Sequence, residues 1–164
     1  MRRLLCVGGA LGLSVLMLSC GRRYDSDPHN KERCLTNMLV IWQKLRAISD
    51  RGDSPRRLGL LYPYPLTDRT MFRCPSSSDD PTHFEEGAVL KPNQCSYIYH
   101  YLGAFTMLYD DLKSRLLVLY EKDDFHGPGR NVVFANGHDI FLPSAEFNEA
   151  LAFTEKWMKE NMEQ

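Results

Sequence analysis

An excess of charge of either sign is what this sequence lacks most plainly. Its 20 Lys and Arg stand against 21 Asp and Glu, a formal net charge of −1, so no basic surface for nucleic acid is expected. Long apolar runs are missing too. The uncharged stretch Leu4 to Leu18 falls short of the roughly 20 residues that a membrane-spanning helix needs. No Gly-rich loop opens a helix, which removes the usual nucleotide cradle. Neither Gly-x-Ser-x-Gly nor His-Glu-x-x-His occurs, which removes two common hydrolase signatures. What is left, 43% apolar and 25% charged residues, is the composition of one ordinary globular domain.

The first twenty residues stand apart. Arg2 and Arg3, the apolar stretch Leu4 to Leu18, then Ser19 and Cys20 have the order of an export signal. Met17-Leu18-Ser19-Cys20 resembles a bacterial lipobox, which implies cleavage before Cys20 and a lipid on that cysteine. The chain therefore divides into a signal at 1–19, a polar tether at 20–27, a globular domain at 28–143 and a C-terminal helix at 144–164. Loss of residues 1–19 removes two arginines and no acid, so the formal charge moves from −1 to −3. The expected location is a bacterial membrane, with the domain facing the periplasm or the cell exterior.

Beyond the tether, Asp27 is a plausible helix cap and Pro28 suits the first helical position. Apolar residues then recur at helical spacing through Cys34, Leu35, Met38, Ile41, Trp42, Leu45 and Ile48, predicting a helix from about Pro28 to Ser49. Pro55, Pro63 and Pro65 make residues 54–70 a loop without regular structure. Tyr97, Tyr99 and Tyr101 alternate as in a strand, while Leu116–Tyr120 reads as a central strand buried on both faces. Asn136-Gly137 between apolar strands is a hairpin signal for a two-residue type I′ turn, pairing 131–135 with 138–142. Ser144 caps a last helix to Met162, with Phe147, Leu151, Thr154 and Met158 in one stripe and Ala150, Phe153 and Trp157 in a second. The expected fold class is α+β, a helix packed on a small antiparallel sheet, with a C-terminal amphipathic helix.

Three stretches carry a family resemblance. His126, nine residues, then Asn136-Gly137 closely resembles the signature of the prepilin-type processing-associated H-x9-DG family, with Asn136 where the signature has Asp. Met71-Phe72-Arg73-Cys74-Pro75-Ser76-Ser77 resembles the family's Phe-x-Cys-Pro-Ser-Asp element, and Cys34-Leu35-Thr36-Asn37 its helix. The resemblance implies a pseudopilin-like globular domain, non-enzymatic and linked to a type II secretion-like assembly. Asn136 keeps the turn but loses the charge that would draw a cation. A mature chain from Cys20 lacks the apolar helix through which pseudopilins polymerise, so a tethered domain is expected rather than a filament. The C-terminal helix extends past the family signature and is the candidate partner surface.

Candidate chemistry is sparse. Cys34 lies on the apolar helix face and suits a buried small hydrophobe. Cys74 and Cys95 bracket a loop, Ser78 to Asn93, read as too polar to order itself; closing about 20 residues by a bridge is worth roughly 3 kcal/mol in the chain-entropy model. That pair is the expected disulfide, with Cys34–Cys74, the two cysteines of the family-like motifs, as the rival. Asp123 and Asp124 are weak calcium ligands, since calcium takes six or more oxygens. His126 and His138 lie at opposite ends of a strand, roughly 16 Å apart by the strand rise, so one ion cannot hold both. His126 is expected to lock the approach to the hairpin by bonding loop carbonyls. No catalytic residue, cofactor, nucleotide or nucleic acid is assigned. The alternative is a periplasmic hydrolase or metal-binding protein using His126 with Asp123 and Asp124.

Overall fold

The computed structural model describes residues 25, 27–52, 56–61, 68–84, 88–103 and 108–162. The expected signal segment, Cys20 as the expected lipid-anchor position, and most of the expected tether lie outside the described residues. The first helix, α1, spans Pro28–Ser49. Asp27 is extended and its carboxylate accepts the His29 N–H at 2.9 Å, satisfying one of the free donors at the helix start. The helix buries Cys34, Met38, Ile41, Trp42, Leu45 and Ile48 along one face.

That face covers an antiparallel sheet whose strands follow chain order: β1 (Tyr97–Tyr99), β2 (Leu117–Glu121), β3 (Gly129–Phe134) and β4 (Asp139–Pro143). Tyr97, Leu119 and Val133 belong to the core under α1, whereas Leu117, Tyr120, Val132, Phe134 and Leu142 form a second cluster on the opposite side with Phe147. The last helix, α3 (Ser144–Met162), lies on that side. The fold is thus α+β, with helices on both faces of a four-stranded sheet.

All five residues of β2 are buried. Leu117 pairs with Phe134 but Leu119 with Val133, an irregularity that places one extra residue in β2 around Val118. The strand begins one residue later than the apolar run, so its last fully enclosed position is Glu121, 0% exposed.

The hairpin turn differs in type from the expectation. Gly137 N–H donates to Phe134 O at 2.9 Å and Phe134 N–H to His138 O at 2.9 Å. With Gly137 alone at φ 88°, this is a turn followed by one left-handed glycine, the three-residue loop rather than the two-residue type I′ form. Asn136 contributes by accepting the His138 N–H at 2.9 Å.

Among the described residues of the expected loop, 3₁₀ turns form at Leu58–Leu61 and Arg69–Phe72, while Pro55, Pro63 and Pro65 lie outside the described residues. Asp110–Lys113 forms a single helical turn, α2, rather than a bare loop turn. No helix among the described residues is long and apolar enough to cross a membrane.

Both stripes of α3 are engaged. Phe147 and Thr154 are buried, Ala150 and Leu151 pack on the second cluster, and Phe153, Trp157 and Met158 are half-buried against the main core. Arg115 places its guanidinium 3.9 Å from the Phe153 ring centroid. Ser144 is the first helical residue, its N–H donated to Pro128 O at 3.1 Å, rather than a cap.

One bond ties this helix to the sheet. Thr154, 0% exposed, accepts the Leu117 N–H at 3.0 Å and donates to Ala150 O at 2.9 Å. Thr154→Val keeps the shape but strands the buried Leu117 N–H, so it is expected to lower stability by about 1–3 kcal/mol in urea denaturation. A valine variant as stable as the parent would show that apolar packing alone seats α3.

Candidate functional site

Four buried polar side chains from four separate stretches meet at one end of α1. Cys34 comes from the second turn of that helix and Cys74 from the turn after the second 3₁₀ helix. Glu121 ends β2, and His126 lies in the connection from β2 to β3. One donor atom from each falls within 4.8 Å of every other. Cys34, Cys74 and Glu121 are 0% exposed, and the His126 side chain is fully enclosed although its backbone is partly open.

The contacts are short and directional. The Cys34 thiol donates to Glu121 Oε1 at 2.7 Å, and His126 Nε2 lies 3.2 Å from both that oxygen and Cys74 Sγ. Three of the four also have polar support behind them. Asn131 N–H donates to Glu121 Oε2 at 2.8 Å, and Asn131 Nδ2 to Oε1 at 3.1 Å. Tyr97 OH sits 3.4 Å from Cys34 Sγ. His126 Nδ1 lies 3.5 Å from Ser76 Oγ, which donates to Asp25 Oδ2 at 2.5 Å.

Mutual contact sets the proton affinities. Burial works against charge on His126, but Cys74 and Glu121 beside Nε2 outweigh it and raise the imidazole to about 10. Cys74 is lowered to about 6, first by its contact with the Cys34 thiol and then, against burial, by the hydrogen bond with His126. Cys34 is pushed well up by burial, and further by Cys74 and the Glu121 carboxylate. The cluster therefore favours Cys74 thiolate beside imidazolium, with Cys34 holding its proton. Outside it, Asp25 is held at about 2, chiefly by the Ser76 hydroxyl.

The arrangement differs from the sequence reading at several points. His126 was expected to bond loop carbonyls; its ring nitrogens instead face side chains, because the loop turns it inward under Ser76. The expected Cys74–Cys95 bridge is absent. All three cysteines are free, and Cys74 lies against Cys34 and His126 while the Cys95 thiol turns to Tyr97 O at 3.3 Å. The described parts of the bracketed loop, 78–84 and 88–93, pack without a bridge. Phe84 is buried edge-on against Phe72 at 5.5 Å, and Asp79 accepts Ser96 Oγ at 2.7 Å and Lys122 Nζ at 2.5 Å.

Asp123 and Asp124 lie outside the described cluster of His, Cys and acidic donors. Asp123 is exposed, and among the described residues three or more His, Cys or acidic donors gather only around Cys34, Cys74, Glu121 and His126. His138 is exposed on the hairpin turn, stacked on Phe134 at 6.2 Å. Asn136 and Gly137 shape that turn and take no part in the cluster. Glu121 was missed altogether, since an acid closing an apolar strand ordinarily marks a return to solvent. Comparison with protein-family models, curated proteins and solved structures finds no match for this chain.

Proposed function

We propose that this chain is an exported, lipid-anchored, pseudopilin-like domain of the bacterial envelope that acts by binding and support within a secretion-type assembly rather than by catalysis. The observation that supports a non-catalytic reading is the order of groups around His126. A thiol nucleophile needs its base on one ring nitrogen and an orienting carboxylate on the other. Here Cys74 and Glu121 share Nε2, both at 3.2 Å, and the ring is fully enclosed. A substrate carbonyl has no approach to the sulfur.

The tether is consistent with close anchoring. Asp25 N–H donates to Phe125 O at 3.0 Å, and its carboxylate takes the Ser76 hydroxyl. Only four residues lie between this pinned point and Cys20, a reach of at most about 18 Å over five residue steps. A lipid on Cys20 would hold the domain against the bilayer with the cluster end nearest the membrane. Partners would then meet the flanks and α3.

Two measurements test this reading together. In the exporting cell, the mature N-terminal peptide is expected to carry a lipid on Cys20, read by mass spectrometry, and Cys20→Ser to abolish that modification. In the folded, metal-stripped protein, iodoacetamide is expected to label Cys74 no faster than the domain opens. An unmodified Cys20 on the membrane-bound protein would defeat the anchor. Rapid stoichiometric alkylation of Cys74 in the native state would restore a nucleophile.

A further inference from the structure

We propose that Cys34 Sγ, Cys74 Sγ, a Glu121 carboxylate oxygen and His126 Nε2 form a tetrahedral site for one divalent transition-metal ion of the zinc class. This site stands apart from the anchor and holds whether or not Cys20 is acylated.

The donor set carries the choice of ion. Two sulfurs with an imidazole and one carboxylate suit a borderline-soft cation; calcium and magnesium would take oxygens in greater number. The separations fit as well. Bond lengths of about 2.0–2.3 Å place the corners of a tetrahedral zinc site roughly 3.3–3.8 Å apart. The observed 2.7 Å from Cys34 to Glu121, and the 3.2 Å from His126 to both Cys74 and Glu121, need widen by no more than about 1 Å to reach that spacing.

Burial and support point the same way. Enclosing a carboxylate, an imidazole and two thiols together costs desolvation that apolar side chains of the same volume would not. Three of the four donors are instead steadied from behind, as ligands of metal sites are. Asn131 holds Glu121 with two N–H groups, Ser76 and Asp25 back His126, and Tyr97 stands beside Cys34. The four donors also come from the helix, the sheet and two loops, so one ion would cross-link every layer on this side of the domain.

The test uses the full chain in detergent, purified anaerobically with Cys34, Cys74 and Cys95 reduced, stripped by chelator and verified as folded by circular dichroism. It is titrated with Co²⁺ as the spectroscopic probe, then with Zn²⁺. One Co²⁺ per chain is expected, with intense tetrahedral d–d bands and thiolate-to-cobalt charge transfer, both erased by Zn²⁺. Cys34→Ser and Cys74→Ser should each remove about half of the charge-transfer intensity, while Cys95→Ser and Cys20→Ser leave the spectrum unchanged. Ser76→Ala, outside the donor set, should keep the spectrum and weaken binding about 10–100-fold.

A pale octahedral spectrum indifferent to the cysteine substitutions would overturn the site. So would no uptake by folded, reduced protein. A Cys34–Cys74 disulfide as the main species in cells alkylated at lysis would also overturn it, since both sulfurs would then be spent on each other.

Discussion

Gly137→Ala is expected to destabilise the domain by about 2–5 kcal/mol, a large effect for the addition of one methyl group. Two penalties combine. Gly137 holds φ 88° in the hairpin turn, and a side chain in that left-handed region costs about 1–2 kcal/mol. A Cβ there would also lie 2.5 Å from Trp42 Cη2 and 2.8 Å from two more atoms of the same ring. Trp42 is only 7% exposed, lies in the core stripe of α1 and has the Arg46 guanidinium 5.5 Å from its ring centroid, so it has little room to retreat. Overpacking of that kind costs about 1–3 kcal/mol.

Gly52→Ala separates the two terms. Gly52 also has positive φ, at 85°, but its Cβ would meet nothing within 4 Å, so only the backbone penalty of about 1–2 kcal/mol applies. Denaturant titration of both variants decides the matter. Equal losses at the two sites would mean that Trp42 yields and that the hairpin does not lean on α1 at this point.

That contact joins the two features the sequence announces most clearly. Asn136-Gly137 and the stripe of Met38, Trp42 and Leu45 are legible because turn chemistry and helical period are local properties. The turn's register was not, since whether Gly137 closes a two-residue or a three-residue loop depends on what packs against it. Glu121 was hidden for a related reason. Leu116–Tyr120 is apolar throughout, so it carries no alternation from which to assign faces, and the irregularity at Val118 would have reversed any assignment made.

The polar cluster was legible only in pieces. Cys34, Cys74, Glu121 and His126 have none of the close pair spacing by which metal sites are usually read. Three of them nonetheless sit one apiece in the stretches that carry the family resemblance. The fourth donor comes from a strand with no motif, and only the fold brings it to the others. The packing of 78–84 and 88–93 rests likewise on single residues, Phe84 and Asp79, whose partners Phe72, Ser96 and Lys122 are distant in sequence or across the sheet edge.

Glu121→Ala, in protein kept reduced and in chelator, is expected to cost about 3–5 kcal/mol, the range for removing one partner of a buried charged network. The carboxylate accepts both the backbone N–H and the side-chain amide of Asn131, which is itself 0% exposed, and it contacts Cys34 and His126. Truncation leaves both Asn131 donors and the Cys34 thiol without this acceptor in a region that water does not reach, and stranded buried donors are costly in their own right. The Glu121 backbone oxygen, which accepts Arg130 Nη1 at 2.7 Å, is untouched, so the loss belongs to the carboxylate. Glu121→Gln should recover more than half of it. The glutamine oxygen can still take the Asn131 N–H, and its new amide can serve Asn131 Oδ1, a buried atom with no partner in the parent. Urea unfolding followed by the fluorescence of Trp42 and Trp157 gives both values. A loss below about 1 kcal/mol for alanine, the size of one ordinary hydrogen bond, would sink the claim that Glu121 organises this end of the domain. Equal losses for alanine and glutamine would assign the effect to charge pairing with His126 and overturn the account in which the Asn131 hydrogen bonds carry it.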